Sequence, residues 1–465
     1  MKKSLLQRLQ PTGNAGLLAL WDTLAADQQQ ELARQIAQVD FERIAAEFQA
    51  VAADSSLRER SERAQSPPAF RLEPQASDRF TRSEARDRGE AALGEGRLAM
   101  ILVAGGQGSR LGFDHPKGMF PVGAVSGRTL FQILIEGLQA VGRRYGTRIP
   151  LLLMTSHATH QETLQFLDAH QRFGLPEEDL RVFQQGSLPA IDAQTGRVLL
   201  ESPGSLCLSP DGHGGMLQAL HASGGLAFAE EREIEQFFYG QVDNPMTQIC
   251  DPELIGYHLL CESEMTTQVV RKQDPLERVG NVVLVDGQVQ IIEYSDLPDE
   301  VAQRRDASGD LQLWAGNIAV HVFDRAFLQR QATSGTGLPF HAARKKVAWF
   351  DPARGEQVLP EEPNAIKLER FIFDLLPAAR NAIVVEAKAD EAFAPVKNAP
   401  GEASHTPELA QEAMTRMARR WLEAAGARIQ GDPPLEISPL FALDADELKQ
   451  KLPPGRTLQE PTYFH

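Results

Sequence analysis

The chain has 465 residues, of which 42% are hydrophobic and 24% charged, and its formal net charge is −16. This is the composition of a globular protein and excludes a disordered or collagen-like chain, while the length allows about two or three domains. The acidic balance argues against non-specific binding to nucleic acid or to an anionic membrane, so a phosphorylated ligand must be held by local basic groups.

The three cysteines, Cys207, Cys250 and Cys261, have neither a metal-ligand spacing nor the density of a disulfide scaffold. No apolar run approaches the ~18 residues that a membrane span requires. The N-terminal residues become polar too early for a signal peptide. We therefore expect a soluble protein of a reducing compartment, the cytoplasm.

The first eighty residues are predicted to form a helical region followed by a connector. Apolar residues recur at spacings of three and four through the first fifty positions, which is typical of amphipathic helices. Residues 53–80 are rich in Ser, Pro, Arg and Asp and are interpreted as a connector that runs over the surface.

From residue 98 onward, short apolar runs alternate with amphipathic helical patterns, which indicates a mainly parallel sheet with helices on both faces. The last two runs flank Asp286-Gly287, a hairpin signal, so part of the sheet is predicted to be antiparallel. A helical pattern at about 406–425, followed by short strands broken by prolines, predicts a small C-terminal lobe over 401–465. The predicted strands are Leu98–Val103, Ile149–Met154, Arg181–Gln185, Gln236–Gln241, Gln268–Arg271, Val279–Val285 and Val289–Tyr294.

The strongest local signal is a glycine-rich segment, residues 104–112, directly after the first predicted strand. A strand that ends in glycines such as Gly105 and Gly106, with a helix predicted to follow, lets backbone N–H groups approach a polyphosphate. A dinucleotide fingerprint requires a third glycine where Leu111 stands, and the Walker pattern requires a terminal Gly-Lys-Ser/Thr that is missing. The loop instead carries Arg110, with Lys117 nearby, and two cations suit a triphosphate whose pyrophosphate departs. The alternative is a structural turn with solvated charges.

Further motifs follow in chain order: 184–190 (QQGSLPA), 210–215 (PDGHGG), 242–244 (VDN), 251–256 (DPELIG), 279–280 (VG), 293–295 (EYS), 315–318 (AGNI), 371–374 (FIFD) and 395–398 (PVKN). With the glycine-rich segment, they resemble the UTP-dependent sugar-1-phosphate uridylyltransferases, and most of all the eukaryotic-type UDP-N-acetylhexosamine pyrophosphorylases. The resemblance covers about residues 98–440. It implies an α/β fold with a Rossmann-like, nucleotidyltransferase mixed sheet in a catalytic domain over 81–400, beside the N-terminal helical region and the small C-terminal lobe.

The resemblance also implies an activity: transfer of UMP from UTP to a sugar 1-phosphate, with N-acetylglucosamine 1-phosphate favoured, to give a UDP-sugar and pyrophosphate. A sugar-phosphate oxygen would attack the α-phosphorus in one displacement. A phosphate monoester is already anionic at neutral pH, so no side-chain nucleophile is needed. Arg110, Lys117 and Lys397 would align and neutralise the reacting phosphates. For Lys397 alone, the ordinary interpretation is a solvated surface lysine.

One carboxylate, Asp243, follows the predicted strand Gln236–Gln241 closely and is implied to bind Mg2+. By itself such a residue is often a helix or turn cap. Beside a triphosphate, however, Mg2+ uses few protein carboxylates in addition to phosphate oxygens, so one aspartate suffices. The sequence identifies no second protein ligand.

The remaining implied contacts belong to the base and the sugar. Gln185 would hydrogen-bond uracil, and the glycine loop of Gly212 and His213 would lie near the base and sugar. Phe371 and Phe373 share a face only if they lie on a strand. They would either pack in the core or lie near the 2-substituent of the sugar. A carboxylate and an amide suit vicinal hydroxyls, and the sugar pocket is implied to consist of Gly280, Glu293 and Asn317.

His213 departs from the pattern, because N-acetylhexosamine enzymes usually carry asparagine there, whereas relatives that use UDP-glucose or a broader set of UDP-sugars tend to carry histidine. A UDP-glucose or broad-specificity pyrophosphorylase is therefore the alternative within the class. A non-catalytic nucleotide-sugar-binding protein is the alternative outside it. His341 shows no ligand spacing and is interpreted as structural or surface.

Overall fold

The computed structural model describes residues 1–53, 56–335, 337–453 and 455–465. The chain divides into two compact units. The first unit comprises Met1–Leu57, Gln185–Met216 and Thr336–Asp374, and the second comprises Arg58–Gln184, Leu217–Gly335 and Leu375–His465. The division predicted at residues 80 and 400 stays a prediction.

The α-helices are α1 (Lys2–Leu9), α2 (Ala26–Gln38), α3 (Phe41–Ala53), α4 (Ser56–Arg63), α5 (Arg82–Glu95), α6 (Leu130–Tyr145), α7 (His160–Ala169), α8 (Met216–Ala222), α9 (Gly225–Glu231), α10 (Pro252–Leu260), α11 (Asp299–Ala302), α12 (Arg325–Thr333), α13 (Ala389–Ala392), α14 (Pro407–Ala424) and α15 (Ala445–Lys451). No helix of the described ranges combines the length and the apolar character of a membrane span.

The strands are β1 (Leu98–Val103), β2 (Leu151–Thr155), β3 (Leu180–Gln184), β4 (Ser187–Pro189), β5 (Ile191–Asp192), β6 (Leu200–Ser202), β7 (Ser205–Leu206), β8 (Leu208–Pro210), β9 (Gln236–Gln241), β10 (Met265–Arg271), β11 (Asn281–Val285), β12 (Gln288–Ile292), β13 (Ala315–Asp324), β14 (His341–Lys345), β15 (Trp349–Asp351), β16 (Glu356–Val358), β17 (Ala365–Glu369), β18 (Ala382–Ala387), β19 (Arg428–Ile429), β20 (Leu435–Ile437), β21 (Thr457–Leu458) and β22 (Thr462–Phe464).

A large mixed sheet forms the centre of the second unit. Its strand order is β12-β11-β13-β9-β1-β2-β3, and β10 joins β13 to β18. β9, β1, β2 and β3 are parallel, whereas β13 runs antiparallel to β9 and β10. Because β1 is covered on both faces, its residues form one continuous apolar run, as is usual for inner parallel strands. The predicted α/β fold with a mixed sheet is confirmed.

The register of β1 and β9 fixes where the functional loops begin. Val103 lies opposite Gln241, so the carboxyl ends of these two strands meet at one edge of the sheet. Open α/β sheets present their ligands at that edge. The predicted hairpin is also present: β11 and β12 pair antiparallel, and Asp286 and Gly287 have the positive φ angles (51° and 83°) of a tight turn between them.

Two local predictions are wrong. The predicted connector, residues 53–80, contains helix α4 (Ser56–Arg63). No long helix follows the glycine-rich segment directly: short 3-10 turns occupy 109–111 and 117–119, and the next α-helix, α6, begins at Leu130. The left-handed backbone at Gly112 (φ 67°) ends the first turn, and Pro116 lacks the N–H that a continuing helix needs.

The first unit is built from small sheets and the N-terminal helices. Its sheets have the orders β14-β17-β5, β16-β15-β6-β7 and β4-β8. Apolar residues of α1 to α3 share one core with residues of these strands. Asn14 and Gln35 accept hydrogen bonds from the backbone N–H groups of Val198 and Leu206, each at 2.8 Å. The N-terminal helices are therefore part of this unit's core.

The last sixty residues have a core of their own inside the second unit. α14 and α15 pack with the short parallel pairs β19-β21 and β20-β22. Glu436, on β20, is buried and accepts hydrogen bonds from the backbone N–H groups of Val125 and Ser126, both at 2.8 Å. This carboxylate ties the C-terminal part to the loop that precedes α6.

Candidate active site

The glycine-rich loop leaves the carboxyl end of β1 in the second unit. Gly105 is buried and Gly106 is exposed. A Cβ at Gly106 would meet no heavy atom of the described chain within 4 Å, apart from its sequence neighbours. At Gly108, by contrast, a Cβ would lie 2.7 Å from Phe113. The packing of the protein thus requires glycine at 108, whereas at 106 it leaves open space.

Lys117 lies beside this loop and faces Asp243. Its backbone N–H donates to the Gly106 carbonyl at 3.0 Å, and its Nζ lies 3.6 Å from Asp243 Oδ2, with both side chains largely buried. Burial lowers the pKa of Lys117, Asp243 opposes this shift, and the charges of Lys397 and Arg110 add to it. Four of the residues identified from the sequence are therefore brought into one electrostatic cluster of three cations and one carboxylate.

The end of β9 holds the segment that carries Lys397. The Asp243 carbonyl accepts a hydrogen bond from the Val396 N–H at 2.8 Å. Asn244, which is buried, accepts from the Ala394 N–H at 3.0 Å and donates to the Ala392 carbonyl at 2.7 Å. These bonds place Lys397 next to Asp243. Asn244 belongs to the motif at 242–244, but no pattern in the sequence predicts this role for it.

His405, which the sequence did not single out, supports Lys397 from the other side. Its carbonyl accepts from the backbone N–H groups of Lys397 and Asn398, at 2.7 and 3.0 Å. Its φ angle is +56°, in the left-handed region that residues other than glycine rarely adopt. Burial lowers the pKa of the His405 imidazole, and Lys397 lowers it further while Asp243 opposes the shift. The imidazole therefore lies within electrostatic range of the cluster.

The side chains around Asp243 fit a metal ion that takes one ligand from the protein and the others from bound phosphates and water. Among the described residues, no group of three or more His, Cys, Asp or Glu side chains could hold a metal ion. A lone carboxylate is compatible with Mg2+, which commonly binds one or two carboxylates together with substrate phosphates and water.

The predicted sugar residues of the second unit also lie together. The Asn317 N–H donates to the Gly280 carbonyl at 2.8 Å, and a Cβ at Gly280 would lie 3.0 Å from Glu293 Oε1. The Asn317 side-chain oxygen accepts from the Ala319 N–H at 2.9 Å, where β13 has a bulge and Ala319 has a φ of 56°. Asn317 therefore has a structural role in the strand, and its contact with the sugar stays a prediction.

In the first unit, the pairing of two short strands joins two of the motifs. β4 and β8 are antiparallel, with Ser187 opposite Pro210. Gln185 lies two residues before this ladder and Gly212 two residues after it, and the Asp211 N–H donates to the Gly186 carbonyl at 3.1 Å. The implied uracil-reading residue and the second glycine loop are therefore neighbours.

The second glycine loop packs on the segment after β17. Gly212 has a φ of 84°, and a Cβ there would lie 2.4 Å from the Arg370 carbonyl oxygen. Nδ1 of His213 accepts a hydrogen bond from the Ile372 N–H at 3.2 Å, so in the neutral ring the proton is on Nε2. The His213 ring stacks on Phe371, with 5.1 Å between centroids and 14° between planes.

The two predicted phenylalanines lie at the start of a 3-10 helix, Ile372–Ala378, and not on a strand. Their rings still meet, with centroids 5.1 Å apart, because Phe371 precedes the helix. Phe373 is 2% exposed, which agrees with the core interpretation for this residue. His341 belongs to the same cluster: its ring lies 4.3 Å from that of Phe371, and its Nε2 lies 2.8 Å from Asp374 Oδ2.

Comparison with known proteins identifies the family. The family model described as UTP–glucose-1-phosphate uridylyltransferase matches residues 45–423. The chain belongs to this family. The UDP-N-acetylhexosamine pyrophosphorylase-like protein 1 of Homo sapiens is 35% identical over 491 aligned residues, which cover 98% of this chain and 95% of that protein. The UDP-N-acetylglucosamine pyrophosphorylase of Saccharomyces cerevisiae is 33% identical, with 94% of each chain covered.

Comparison with solved structures supports the same fold. The crystal structure of the uridine diphosphate N-acetylglucosamine pyrophosphorylase from Trypanosoma brucei superposes with a TM-score of 0.81, at 27% identity and 98% coverage of both chains. The UDP-glucose phosphorylase of the same organism superposes with a TM-score of 0.61 at 17% identity and shows the fold alone. The family and the nucleotidyltransferase fold predicted from the sequence are thereby confirmed.

Proposed function

We propose that this uridylyltransferase transfers UMP from UTP to N-acetylglucosamine 1-phosphate and releases pyrophosphate. The observation that carries the proposal is the cluster of Arg110, Lys117 and Lys397 around Asp243, at the sheet edge beside an open glycine loop. Three cations against one carboxylate leave an excess of positive charge in a protein whose net charge is −16. Such an excess suits the meeting of two polyanionic substrates.

The reaction proceeds by one displacement at phosphorus. A phosphate oxygen of the sugar 1-phosphate forms a bond to the α-phosphorus of UTP, and the bond from that phosphorus to the oxygen bridging to the β-phosphate breaks. The electron pair leaves on pyrophosphate. Lys117, Arg110 and Lys397 would hold the phosphates in line and balance the charge that gathers on the leaving group. One phosphoanhydride replaces another, so we expect the reaction to be readily reversible.

Asp243 would hold Mg2+, which when bound supplies charge neutralisation at the phosphate oxygens. Backbone N–H groups at Gly105 and Gly106 would contact the phosphates. The proximity of Lys117 to Asp243 means that this lysine would also limit the repulsion between Asp243 and the incoming phosphates. The location of the protein in the cytoplasm stays a prediction.

The base and the sugar would be read by the other two groups of residues. In the first unit, Gln185 would hydrogen-bond uracil beside Gly212, while His213 and Phe371 would border the 2-substituent of the sugar. In the second unit, the sugar hydroxyls would be bound by Gly280, Glu293 and Asn317. The relatives named UDP-N-acetylglucosamine pyrophosphorylase and UDP-N-acetylglucosamine diphosphorylase 2 support N-acetylglucosamine as the sugar.

One observation favours a second candidate, a UDP-glucose or broad-specificity pyrophosphorylase. The imidazole of His213 is fixed by the Ile372 N–H and stacked on Phe371, so it occupies the space beside that ring. A filled space there favours sugars with a smaller 2-substituent.

The test is pyrophosphate release from UTP and Mg2+ with the 1-phosphates of glucose, galactose, N-acetylglucosamine and N-acetylgalactosamine. We expect release in every productive pair to require UTP, and to be fastest with N-acetylglucosamine 1-phosphate. Equal or faster release with glucose 1-phosphate would establish the second candidate instead. Binding of UDP-sugar without any pyrophosphate release would identify a non-catalytic binding protein and overturn the proposal.

A further inference from the structure

A buried carboxylate, Asp211, lies between the two motifs of the first unit. It is 4% exposed. A Cβ at Gly215 would lie 2.0 Å from its Oδ1, and a Cβ at Gly186 would lie 2.7 Å from its Oδ2. The backbone bonds from its N–H to Gly186 and from the Arg370 N–H to its carbonyl, at 3.1 and 2.8 Å, hold it in place. Its carboxyl group is therefore confined between two glycines, and the cation cluster proposed for catalysis does not include it.

Among the described residues, the Asp211 carboxyl group has few polar partners. The Gln185 amide donates a hydrogen bond to it, and Arg370 Nη1 lies 3.7 Å from its Oδ2. Its Oδ1 is buried and has no hydrogen-bond partner among the described residues. Burial raises the pKa of Asp211 to about 6, and the Arg370 charge and the Gln185 hydrogen bond oppose that shift. At neutral pH the group is therefore mostly ionised.

An ionised carboxylate can only accept hydrogen bonds, so it can face only the NH2 end of the Gln185 amide. The carbonyl oxygen of the amide must then point elsewhere. The two pyrimidines differ in what they offer such an oxygen: uracil has an N3–H donor, whereas cytosine has a lone pair at N3. An amide held in one orientation accepts from uracil and repels cytosine, but an amide free to rotate by 180° can satisfy both.

We propose that Asp211 is a positioning residue that fixes the orientation of the Gln185 amide and thereby sets the preference for uracil over cytosine nucleotides. This inference rests on the proposed function, in which Gln185 contacts the base. Asp211 acts through Gln185 and touches no substrate atom itself. Arg370, whose guanidinium lies 4.5 Å from the Phe340 ring, supports the ionised form of Asp211.

The decisive measurement compares Kd values for UTP and CTP by calorimetry in wild type and Asp211→Asn, with kcat/KM for each nucleotide as the second readout. Asparagine has the same shape but can present either end of its own amide to Gln185, so both orientations become available. We expect the UTP/CTP preference to fall about tenfold or more, the usual range for a hydrogen bond to a charged group. The KM for the sugar 1-phosphate should not change.

Two further variants separate positioning from a general structural effect. Asp192→Asn is the matched control, because Asp192 also lies in the first unit and its carboxylate accepts hydrogen bonds within its own turn, such as that from the Thr195 N–H at 2.7 Å. It should leave the preference unchanged. In a Gln185→Ala background, Asp211→Asn should cause no further loss of preference, because the residue through which it acts is missing.

Wild-type protein gives an independent test if Asp211→Asn does not fold. Protonated Asp211 can donate to the carbonyl end of Gln185, so the UTP/CTP preference should decline as the pH falls from about 8 to about 5.5. The charged groups near the carboxyl are Arg370, and beside Arg370 also Arg43 and Glu47. The phosphates of UTP and CTP titrate alike, so their protonation cancels in the ratio.

Each failure has a distinct signature. If Asp211→Asn weakens UTP and CTP binding equally, or if the wild-type preference is constant over this pH range, Asp211 does not orient Gln185 and the inference is wrong. If wild type binds UTP and CTP equally well, the proposed uracil contact itself is wrong. If wild type prefers UTP but releases no pyrophosphate, the catalytic proposal fails while the inference on Asp211 is still decided by the Kd values.

Discussion

The two glycine loops of this protein differ in what surrounds their glycines. At Gly106, in the second unit, a Cβ would meet no described atom within 4 Å beyond its sequence neighbours. In the first unit, a Cβ at Gly212 would lie 2.4 Å from the Arg370 carbonyl oxygen, and one at Gly215 would lie 2.0 Å from Asp211 Oδ1. Packing therefore explains the glycines at 212 and 215, whereas the contacts within the protein do not explain the glycine at 106.

The two regions also differ in how their positive and negative charges are balanced. Beside Asp243, burial lowers the pKa of Lys117, and the charges of Lys397 and Arg110 lower it further, so this region carries a surplus of positive charge. Around Asp211 a single arginine faces a single carboxylate, and the region is electrically balanced. Surplus charge suits catalysis on polyanions, whereas a balanced and confined carboxylate suits recognition by orientation.

The largest effect is expected from removing the surplus charge. Lys117→Ala or Lys397→Ala should lower kcat by about 10²–10³-fold, because each removes a cation that would stabilise the departing pyrophosphate. Pyrophosphate release under saturating substrates measures this, and thermal unfolding should show a protein that remains folded. Lys449→Ala, at an exposed lysine of α15, is the control with wild-type turnover. Unchanged kcat in both lysine variants would contradict the assignment of the cluster.

The difference between the glycine loops predicts opposite effects of the same substitution. Gly106→Ala should leave the free energy of unfolding nearly unchanged and weaken UTP binding by about tenfold or more, because the methyl group fills space meant for phosphate. Gly212→Ala should lower the free energy of unfolding by about 1–3 kcal/mol, because its φ of 84° and the nearby Arg370 carbonyl both oppose a side chain. Urea unfolding and calorimetric UTP titration measure the two quantities.

This distinction would be contradicted if Gly106→Ala lowered the free energy of unfolding as much as Gly212→Ala does. Glycine at 106 would then be required for stability. Gly108→Ala is a further reference within the same loop. Phe113 lies 2.7 Å from the Cβ position there, so this variant should lose stability.

A smaller effect is expected from a substitution at Asn244, which holds the segment that carries Lys397. Asn244→Ala removes the acceptor of the Ala394 N–H and the donor to the Ala392 carbonyl, so the segment that carries Lys397 is no longer fixed to the end of β9. We expect kcat to fall about tenfold and the free energy of unfolding to fall by about 1–3 kcal/mol. The UTP Kd, measured by calorimetry, should change less than kcat. A loss of stability with unchanged kcat would show that Asn244 serves the fold only.

The sequence predicted the parts of this site that depend on local patterns. β1 and β9 have the bounds expected from their apolar runs, because strands buried on both faces leave a continuous hydrophobic signature. The hairpin at Asp286-Gly287 was predictable from its turn residues. Asn244 was not, because its hydrogen bond to Ala392 joins residues 148 positions apart and no local pattern encodes such a contact.

The roles of backbone groups could not be predicted from the sequence either. His405 contributes its carbonyl and a φ of +56°, neither of which a residue type reveals. The helix expected after the glycine-rich segment was wrong for a related reason: the alternation of strand and helix correctly indicated the fold class, but the loop folds back so that the Lys117 N–H reaches the Gly106 carbonyl. The loop pattern pointed to Arg110 and Lys117 and the family resemblance to Lys397, whereas the backbone hydrogen bonds that hold Lys117 and Lys397 in place are seen only in the structure.

The smallest effect separates the candidate sugars. His213→Asn keeps an acceptor for the Ile372 N–H but removes the ring that stacks on Phe371, so it opens space beside that ring. We expect the ratio of kcat/KM for N-acetylglucosamine 1-phosphate to that for glucose 1-phosphate to rise by up to about tenfold. The KM for UTP should stay the same, because Asp211 and Gln185 are unaltered. A ratio that does not rise would show that the imidazole occupies no space needed by the N-acetyl group, and would leave His213 as a packing partner of Phe371 alone.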